Sequence, residues 1–493
     1  MTKRYLSVIL VLIMAFGVLA CGCSGEKREI VRLTLSTEDS EAILRAAAGI
    51  MLPDAETAVG ANSTVKYHHW VDAFHNYSDD EIINTGYWTF SNKYKGEIHW
   101  IETTWAERYN DLANLVLGGD PPDFFPSGSD CNDTFPTYCI KGMFAPVDDY
   151  IDYNDPLWAG VKPFVDKYFT LAGKHFVICT ENSFESVVPY NRRVIEEWGF
   201  DDPAELYAND EWTWDKFYEM CVDFSDPDFD RYALDGWAYS GAIMECAGTT
   251  VVALNPETGR FESNLDDPRL ERAADLLYNL AKNQCIYPVW NYNFNTRNGT
   301  DNEGAGVKEG LTLFYIRGPW AFTGPVEEMS HNWGDIPANE LMFVPLPRDS
   351  EGDGKYYIQA MATGYCMIKG AGNPEGVALF ASCERFKKLD PTVVDIDRRQ
   401  LEEKYLWTRE MLEMYDHCKL LAQSGETATI YYGNGLGDNL WMTAEQIKCS
   451  SRQSNAVSWA QAKESNIDKF EFYIEELNTS IEKYEQDNGA DFG

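Results

Sequence analysis

Hydrophobic and polar positions follow helical and strand periods along the first third of the chain. Apolar residues recur three and four positions apart between Tyr109 and Leu117, which predicts an amphipathic helix over 105–117 that ends at Gly118-Gly119. Strands that alternate with helices are typical of parallel α/β layers. The same patterns predict strands over 29–35, 98–101 and 123–125, and further helices over 40–51 and 134–141.

The N-terminal segment has the pattern of an export signal. Lys3 and Arg4 precede a largely apolar stretch from Tyr5 to Leu19, and small residues and cysteines follow. The stretch is shorter than the roughly 20 apolar residues that cross a bilayer. We therefore expect residues 1–20 to be a cleaved signal peptide rather than a permanent membrane span.

A short motif after this stretch suggests a lipid anchor. Val18-Leu19-Ala20-Cys21 resembles the lipobox of bacterial lipoproteins, in which the cysteine is diacylated and becomes the first residue of the mature chain. The resemblance implies lipidation at Cys21, a tether over 21–28, and a body held at the outer face of the bacterial cytoplasmic membrane. Two acyl chains anchor firmly, because each buried methylene contributes about 0.8 kcal/mol. Cys23 is the alternative lipid acceptor.

Composition and charge narrow the functional classes. The 493 residues are 44% apolar and 24% charged, which is the balance of a folded protein and excludes a disordered or collagen-like chain. The 41 Lys and Arg residues face 79 Asp and Glu, for a net charge of −38. A surface this acidic has no dominant basic stripe to displace counterions from phosphates, so we expect no nucleic-acid partner.

The cysteines and histidines give no strong sign of a metal or redox site. Beyond Cys23 there are ten cysteines and no C-x-x-C pair, so zinc ribbons and thioredoxin-like sites are not indicated. A bridge between Cys131 and Cys139 and buried free thiols are both open. The histidines at 68, 69 and 75 could bind a metal together with Asp72, but a solvated segment explains them better.

Catalytic signatures are also missing from the sequence. It contains no G-x-S-x-G, no Walker A motif and no G-x-G-x-x-G at a strand-to-helix turn. We therefore expect a protein that is not an enzyme and that needs neither a cofactor nor a metal.

Several short motifs, spread over roughly residues 29–450, together carry a family resemblance. In their order and spacing they resemble family 1 extracellular solute-binding proteins, the maltose-binding class that serves ABC importers. The motifs are GGDPPDFF at 118–125, KGMFAPVDDY at 141–150, GKHF at 173–176, PYNR at 189–192, WTWDKF at 212–217, GPW at 318–320 and VPLP at 344–347.

The resemblance implies an α/β, two-lobed fold of the periplasmic-binding-protein type, with hinge crossings and a ligand cleft between the lobes. Residues 54–94, which are polar, aromatic-rich and weakly periodic, depart from the family pattern and are interpreted as an insertion. Matching the landmarks places lobe 1 at 29–180 with a return segment at 356–420, and lobe 2 at 181–355 with C-terminal helices at 421–493.

The resemblance also implies ligand-binding positions. Sugars present hydroxyls and C–H faces, which carboxylates and flat aromatic rings recognise. Asp130 stands where the family places a sugar-contacting aspartate, with a helix N-cap as its alternative role. Trp320 and Trp441 match positions of stacking rings in the same class. Further candidates flank the first crossing and a loop mouth: Glu181, Glu185, Tyr190, Trp237 and Tyr239.

We therefore expect the substrate-binding lipoprotein of an ABC transporter, a monomer that captures a sugar or oligosaccharide by hinge closure and presents it to a membrane permease. The alternative is a secreted glycoside hydrolase, which needs two carboxylates about 5–10 Å apart around the scissile bond. With 79 acidic residues the sequence allows such a pair but points to none. The identity of the solute stays open, from a monosaccharide to a peptide.

Overall fold

The computed structural model describes residues 29–49, 51–54, 64–127, 134–236, 238–288, 306–323, 333, 336–449 and 456–489. The strands in these ranges are β1 (Thr64–His69), β2 (Glu97–Glu102), β3 (Phe124–Ser127), β4 (Thr170–Leu171), β5 (Lys174–His175), β6 (Ile178–Phe184), β7 (Val188–Asn191), β8 (Tyr232–Leu234), β9 (Val252–Asn255), β10 (Arg260–Ser263), β11 (Thr312–Phe314), β12 (Leu341–Val344), β13 (Ile358–Met367) and β14 (Ala428–Ile430).

The α-helices in the same ranges are α1 (Thr37–Ala47), α2 (Thr85–Tyr94), α3 (Arg108–Gly118), α4 (Thr137–Ile140), α5 (Lys162–Tyr168), α6 (Arg192–Glu197), α7 (Pro203–Ala208), α8 (Trp214–Phe224), α9 (Tyr239–Glu245), α10 (Pro268–Lys282), α11 (Pro374–Leu389), α12 (Pro391–Lys404), α13 (Arg409–Gln423), α14 (Asp438–Lys448), α15 (Trp459–Glu464) and α16 (Ile467–Asn488).

The sequence explains where helix α3 ends and where helix α8 begins. The predicted stop of α3 is confirmed, because Gly119 follows it in the left-handed conformation with φ of 78°. Helix α8 begins after Thr213, whose hydroxyl accepts a hydrogen bond from the backbone N–H of Lys216. Its buried side chains recur every three or four residues from Trp214 to Phe224, so one face packs into the core.

The larger sheet has the order β14-β13-β3-β1-β2, with β6 paired to β13. Strand β1 runs parallel to β2 and β3 and lies inside this sheet. Within the range 54–94 that was interpreted as an insertion, Thr64–His69 supplies an interior strand of the sheet, so the interpretation is wrong for these residues. The predicted strand over 29–35 is also wrong, because this segment makes only one isolated bridge, from Val31 to Asn76.

Smaller paired strands lie in the segment between β6 and β13. Strand β7 is antiparallel to β12, and β8 is parallel to β11. Helix α8 packs against β8, and α10 packs against α8. Because β8 and β11 are parallel, their carboxyl ends lie at the same edge of their sheet.

Strands β6 and β13 connect these two groups of strands. Residues 358–360 of β13 pair with β14, residues 360–365 with β6 and residues 364–367 with β3. The register between β13 and β6 shifts between Thr363 and Gly364. A Cβ atom at position 364 would overlap the carbonyl oxygen of Ile178, so the two strands approach closely only because this residue is glycine.

The C-terminal part of the chain packs against segments from both predicted lobes. The ring of Tyr432 lies 6.2 Å from that of Phe135, 5.8 Å from Phe169 and 5.2 Å from Phe261, measured between centroids. Its hydroxyl donates to the carbonyl oxygen of Tyr168 at 2.9 Å. Among the described residues, no helix combines the length and the hydrophobicity that crossing a bilayer requires.

The cysteines of the described residues are free thiols. Eight are buried, Cys139 among them, and Cys449 is partly exposed. Cys131, the other half of the bridge that the sequence left open, lies outside the described residues. Burial raises the pKa of Cys179 and Cys246 to about 12.

Candidate ligand-binding site

Parallel strands β8 and β11 bring two polar residues to one edge of their sheet. Asp235 follows β8 directly and is buried, and Tyr315 follows β11. A Cβ atom at Gly236 would lie 2.9 Å from the Tyr315 ring, so the turn after β8 packs against this tyrosine. Ligands of α/β sheets bind outside the carboxyl ends of strands, which makes this edge a candidate site.

An aromatic cluster follows β11, and we call Tyr315, Arg317, Trp320 and Trp333 the Trp320 cluster. The guanidinium carbon of Arg317 lies 4.9 Å from the ring centroid of Trp320, 5.0 Å from that of Tyr315 and 6.0 Å from that of Trp333. Arg317 is buried, whereas the Trp320 side chain is 41% exposed. A buried cation thus supports a tryptophan ring that still faces solvent.

The loop between β6 and β7 runs beside this cluster. The backbone N–H of Val187 donates to the carbonyl oxygen of Arg317 at 2.9 Å, and the N–H of Arg317 donates back at 3.2 Å. A Cβ atom at Gly318 would overlap the indole nitrogen of Trp320 and lie 2.9 Å from the carbonyl oxygen of Glu185. The structure therefore brings Glu185 and Trp320, two of the predicted site residues, to the same place, and only glycine fits between them.

Glu181 lies in the interior, in a group that we call the crossing cluster: Glu181, Lys388 and Lys419. One carboxylate oxygen lies 3.0 Å from the Lys388 ammonium, and the other contacts the Lys419 ammonium. Burial alone would raise the pKa of Glu181, but the two lysine charges outweigh it and lower the pKa to about 2. Both oxygens are thus held by the protein.

Tyr190 is also buried, in β7. Its hydroxyl donates to the carboxylate of Asp202 and accepts from the backbone N–H of Ala204 at 3.2 Å. Burial raises the pKa of this hydroxyl well above its usual range. The Tyr190 hydroxyl is therefore held by protein groups.

Tyr239 and Trp441 lie on helices α9 and α14, which contact each other. Tyr239 is buried at the start of α9, and Trp441 is partly buried on α14, one turn before Glu445. The two helices also share a buried group that we call the helix cluster: Glu245, Tyr431, Glu445 and Lys448. The predicted positions Asp130, Trp237 and Cys21 lie outside the described residues.

The helix cluster has two carboxylates for one ammonium. Lys448 contacts Glu245, lies 2.7 Å from Glu445, and sits 3.7 Å from the ring centroid of Tyr431. The Tyr431 hydroxyl donates to Glu445 at 2.9 Å. Burial, reinforced by the charge of Glu445, raises the pKa of Glu245 to about 6, and Lys448 offsets this only in part.

A second aromatic cluster, which the sequence reasoning missed, lies at the carboxyl ends of β1 and β2; we call Trp70, Trp105, Arg108 and Tyr109 the Arg108 cluster. The Arg108 guanidinium carbon is 4.2 Å from the Trp105 ring centroid, 4.8 Å from Tyr109 and 5.7 Å from Trp70. Trp105 is 43% exposed. The available signal was positional, since Trp70 follows a strand directly and Trp105 precedes a helix.

No group of three His, Cys, Asp or Glu side chains converges as metal ligands in the part of the chain that the structure describes. His75 pairs with Asp72 at 2.7 Å. His68 is buried rather than solvated, with its Nε2 atom 3.2 Å from the carbonyl oxygen of Arg108. The expectation of a solvated histidine segment is therefore wrong for His68.

The chain belongs to the bacterial extracellular solute-binding protein family, whose model matches residues 88–383. This confirms the family resemblance seen in the sequence, and it makes the chain an exported binding protein. None of the curated proteins compared with the chain matches it.

Solved structures share the fold at low sequence identity. The GacH receptor of Streptomyces glaucescens, known unliganded and with acarbose, is 15% identical with a TM-score of 0.57, over 84% of this chain and 98% of that one. A solute-binding protein of an ABC transporter from Thermotoga lettingae, bound with α-D-tagatose, is 15% identical with a TM-score of 0.55, over 85% and 100%.

A third solved structure also shares the fold at low sequence identity. The galacto-N-biose/lacto-N-biose I-binding protein of the Bifidobacterium longum ABC transporter, in complex with lacto-N-biose, is 13% identical with a TM-score of 0.56, over 86% of this chain and 98% of that one. Together with the family match, these structures confirm the predicted two-lobed α/β fold.

Proposed function

We propose that the chain captures a sugar or oligosaccharide between its two lobes and delivers it to an ABC permease. The observation that carries this proposal is the exposed ring of Trp320, backed by buried Arg317 at the carboxyl end of β11, in a chain of the solute-binding family. An indole ring is suited to stack on the C–H face of a pyranose. The structural relatives were solved with acarbose, α-D-tagatose and lacto-N-biose, which supports this ligand class.

Lobe closure requires contacts that the ligand makes with both lobes at once, because only a difference in affinity shifts the open–closed balance. We assign the Trp320 cluster to lobe 2 and the Arg108 cluster to lobe 1, using the lobe boundaries predicted from the sequence. Each cluster offers an exposed tryptophan beside an arginine at the carboxyl ends of strands. A sugar between them would find an aromatic face on each side.

The ligand contacts that we propose include Glu185 and Trp320, which lie together, and Asp130, Trp237, Tyr239 and Trp441 from the sequence resemblance. We leave out Glu181 and Tyr190, because their polar atoms are bound inside the protein. We further propose a monomer anchored by a lipid on Cys21. Mass spectrometry of the mature N-terminus tests the anchor, and an unmodified Cys21 would contradict it.

The test begins with a thermal-shift screen of the purified chain against mono- and oligosaccharides, followed by calorimetry on the best ligand. Trp320→Ala should weaken binding by more than about 1 kcal/mol, or roughly fivefold, through the loss of stacking. Trp198→Ala is the matched control, since Trp198 is also exposed but packs against Phe224 and Arg231. Equal affinity in wild type and Trp320→Ala would remove Trp320 from the site.

The hydrolase alternative has no support in the family or in the structural relatives, which are binding proteins. A reducing-sugar assay on the ligand from the screen separates the two functions. We expect stabilisation of the protein without turnover. Release of product in proportion to enzyme concentration would instead favour the hydrolase.

A further inference from the structure

Two helices, α11 and α13, hold the strand β6. Helix α11 packs against β6 and α2, and α13 packs against β6, β12 and β13. From α11, the Arg385 guanidinium donates to the carbonyl oxygen of Thr180 at 2.8 Å. At α13, the Asn182 side chain donates to the carbonyl oxygen of Ala422 at 2.9 Å.

Glu181 stands between these two attachments. Its carboxylate is buried and binds one ammonium from each helix, Lys388 of α11 and Lys419 of α13. Glu181 pairs with Thr363 of β13, so the register shift between Thr363 and Gly364 lies directly opposite Glu181. The one place where β6 and β13 depart from regular pairing is therefore the place where a single charge joins two helices.

One carboxylate pairs with two ammonium groups here, so Glu181 holds α11 and α13 together by charge as well as by packing. Without its negative charge, two partly exposed ammonium groups would lie close together with no carboxylate between them, and their like charges would repel. A rigid helix carries such a displacement along its whole length, whereas the irregular strand pairing beside it can absorb a change in backbone angles.

We propose that Glu181 is a positioning residue of the hinge. It joins α11, which packs against α2 of predicted lobe 1, to α13, which runs across the predicted boundary at 420 and packs against β12 of predicted lobe 2, and so it sets the separation of the lobes in the absence of ligand. This inference rests on the proposed function only in requiring two lobes that move about β6 and β13. It gives Glu181 a role in closure without contact to the solute.

The experiment measures lobe separation by double electron–electron resonance in the ligand-free protein. Spin labels are attached to ketone-bearing amino acids at positions 117 and 229, so that native thiols do not react. Leu117 and Phe229 are 85% and 67% exposed, and they lie in predicted lobes 1 and 2. Glu181→Gln should shift the mean separation by about 2 Å or more, which is the scale of domain rearrangements.

Three further variants make the result specific. Glu181→Asp keeps the charge and should return the separation toward that of wild type. Lys419→Gln removes the ion pair to α13 only and should change the label separation by a smaller amount. If Glu181→Gln does not fold, the separation measured in Lys419→Gln tests the proposal instead. Glu245→Gln makes the same substitution in another buried Glu–Lys group, within predicted lobe 2, and should leave the separation unchanged.

An unchanged separation in folded Glu181→Gln, or in Lys419→Gln when that variant has to decide, would overturn the proposal. An equal shift in Glu245→Gln would overturn it too, since any buried charge would then have the same effect. The measurement needs no ligand, so a negative saccharide screen and an unchanged separation are independent failures.

Discussion

The crossing cluster and the helix cluster are both buried groups of glutamate and lysine, but their charges are balanced in opposite ways. The first has one carboxylate for two ammonium groups, and the second has two carboxylates for one. Burial raises the pKa of a carboxyl group in both places. The surplus of lysine lowers the pKa of Glu181 to about 2, whereas the surplus of carboxylate leaves that of Glu245 at about 6.

The comparison shows that the ratio of charges, rather than burial or the presence of a salt bridge, decides the sign of a pKa shift. The sign in turn decides the pH dependence of stability. The depressed pKa of Glu181 stabilises the fold above pH 4.5, and this contribution is lost as the pH falls toward about 2. The raised pKa of Glu245 acts in reverse, because stability is lost as the pH rises from 4.5 to about 6.

The largest effect is expected from Lys448→Met. This change leaves the Glu245 and Glu445 carboxylates without their shared cation, which should lower the free energy of unfolding by about 3–5 kcal/mol at pH 7. The loss should shrink at pH 5, because protonation of Glu245 then removes the repulsion. Urea unfolding at both pH values measures it, and an equal loss at pH 5 and pH 7 would contradict the charge argument.

Glu181→Gln should have the next largest effect. A pKa that falls from 4.5 to about 2 corresponds to roughly 3 kcal/mol, and partial exposure of the two lysines reduces the expected loss to about 2–3 kcal/mol at pH 7. The difference from wild type should narrow below pH 4.5 and disappear near pH 2. Thermal melts across this range test the sign, and a difference that widens toward low pH would refute it.

Glu245→Gln should have little effect near pH 4.5 but should raise the free energy of unfolding by up to about 2 kcal/mol relative to wild type at pH 7, because glutamine mimics the protonated carboxyl group and leaves Lys448 paired with Glu445. The variant differs from the wild type in how its stability depends on pH. The wild type should lose roughly 2 kcal/mol between pH 4.5 and 6 through this group, and the variant should not. Parallel stability profiles for the two proteins would count against a raised pKa at Glu245.

The smallest effect is expected where the same residue types meet in water. Lys355 and Glu426 form a 3.0 Å ion pair with side chains 41% and 77% exposed. Exposed pairs contribute little, because water and salt screen them. Glu426→Gln should leave the melting temperature unchanged in calorimetry, and a clear decrease would mean that the contrast between buried clusters and surface pairs is incomplete.

Local sequence patterns predicted much of the fold but not β1. The strand over 98–101 lies within β2, and the predicted helix over 105–117 overlaps α3. Strand β1 was missed because its sequence, TVKYHH, reads as polar. In the structure Lys66 reaches Asp120 at 2.6 Å, and the Nε2 atom of His68 lies against the Arg108 carbonyl oxygen. Tertiary contacts thus engage the polar side chains that obscured the strand.

Local sequence patterns predicted part of the candidate site, and tertiary contacts determine the rest. The GPW motif is local, and it located an exposed tryptophan at the end of a strand. The partners of Glu181 lie far along the chain, on two later helices, so a residue predicted to face a ligand is instead bound by Lys388 and Lys419. The Arg108 cluster assembles from two strand ends and a helix, and no single stretch of sequence contains it.

The buried thiols have a consequence for how this protein can be made. Thiolate is the form that attacks disulfides and oxidants, and burial keeps the pKa of Cys179 and Cys246 near 12 and that of Cys285 near 11. These side chains behave as small hydrophobic residues. Folding of the described residues therefore depends on no disulfide, and the reducing, glutathione-rich interior of an expression host should not impair it.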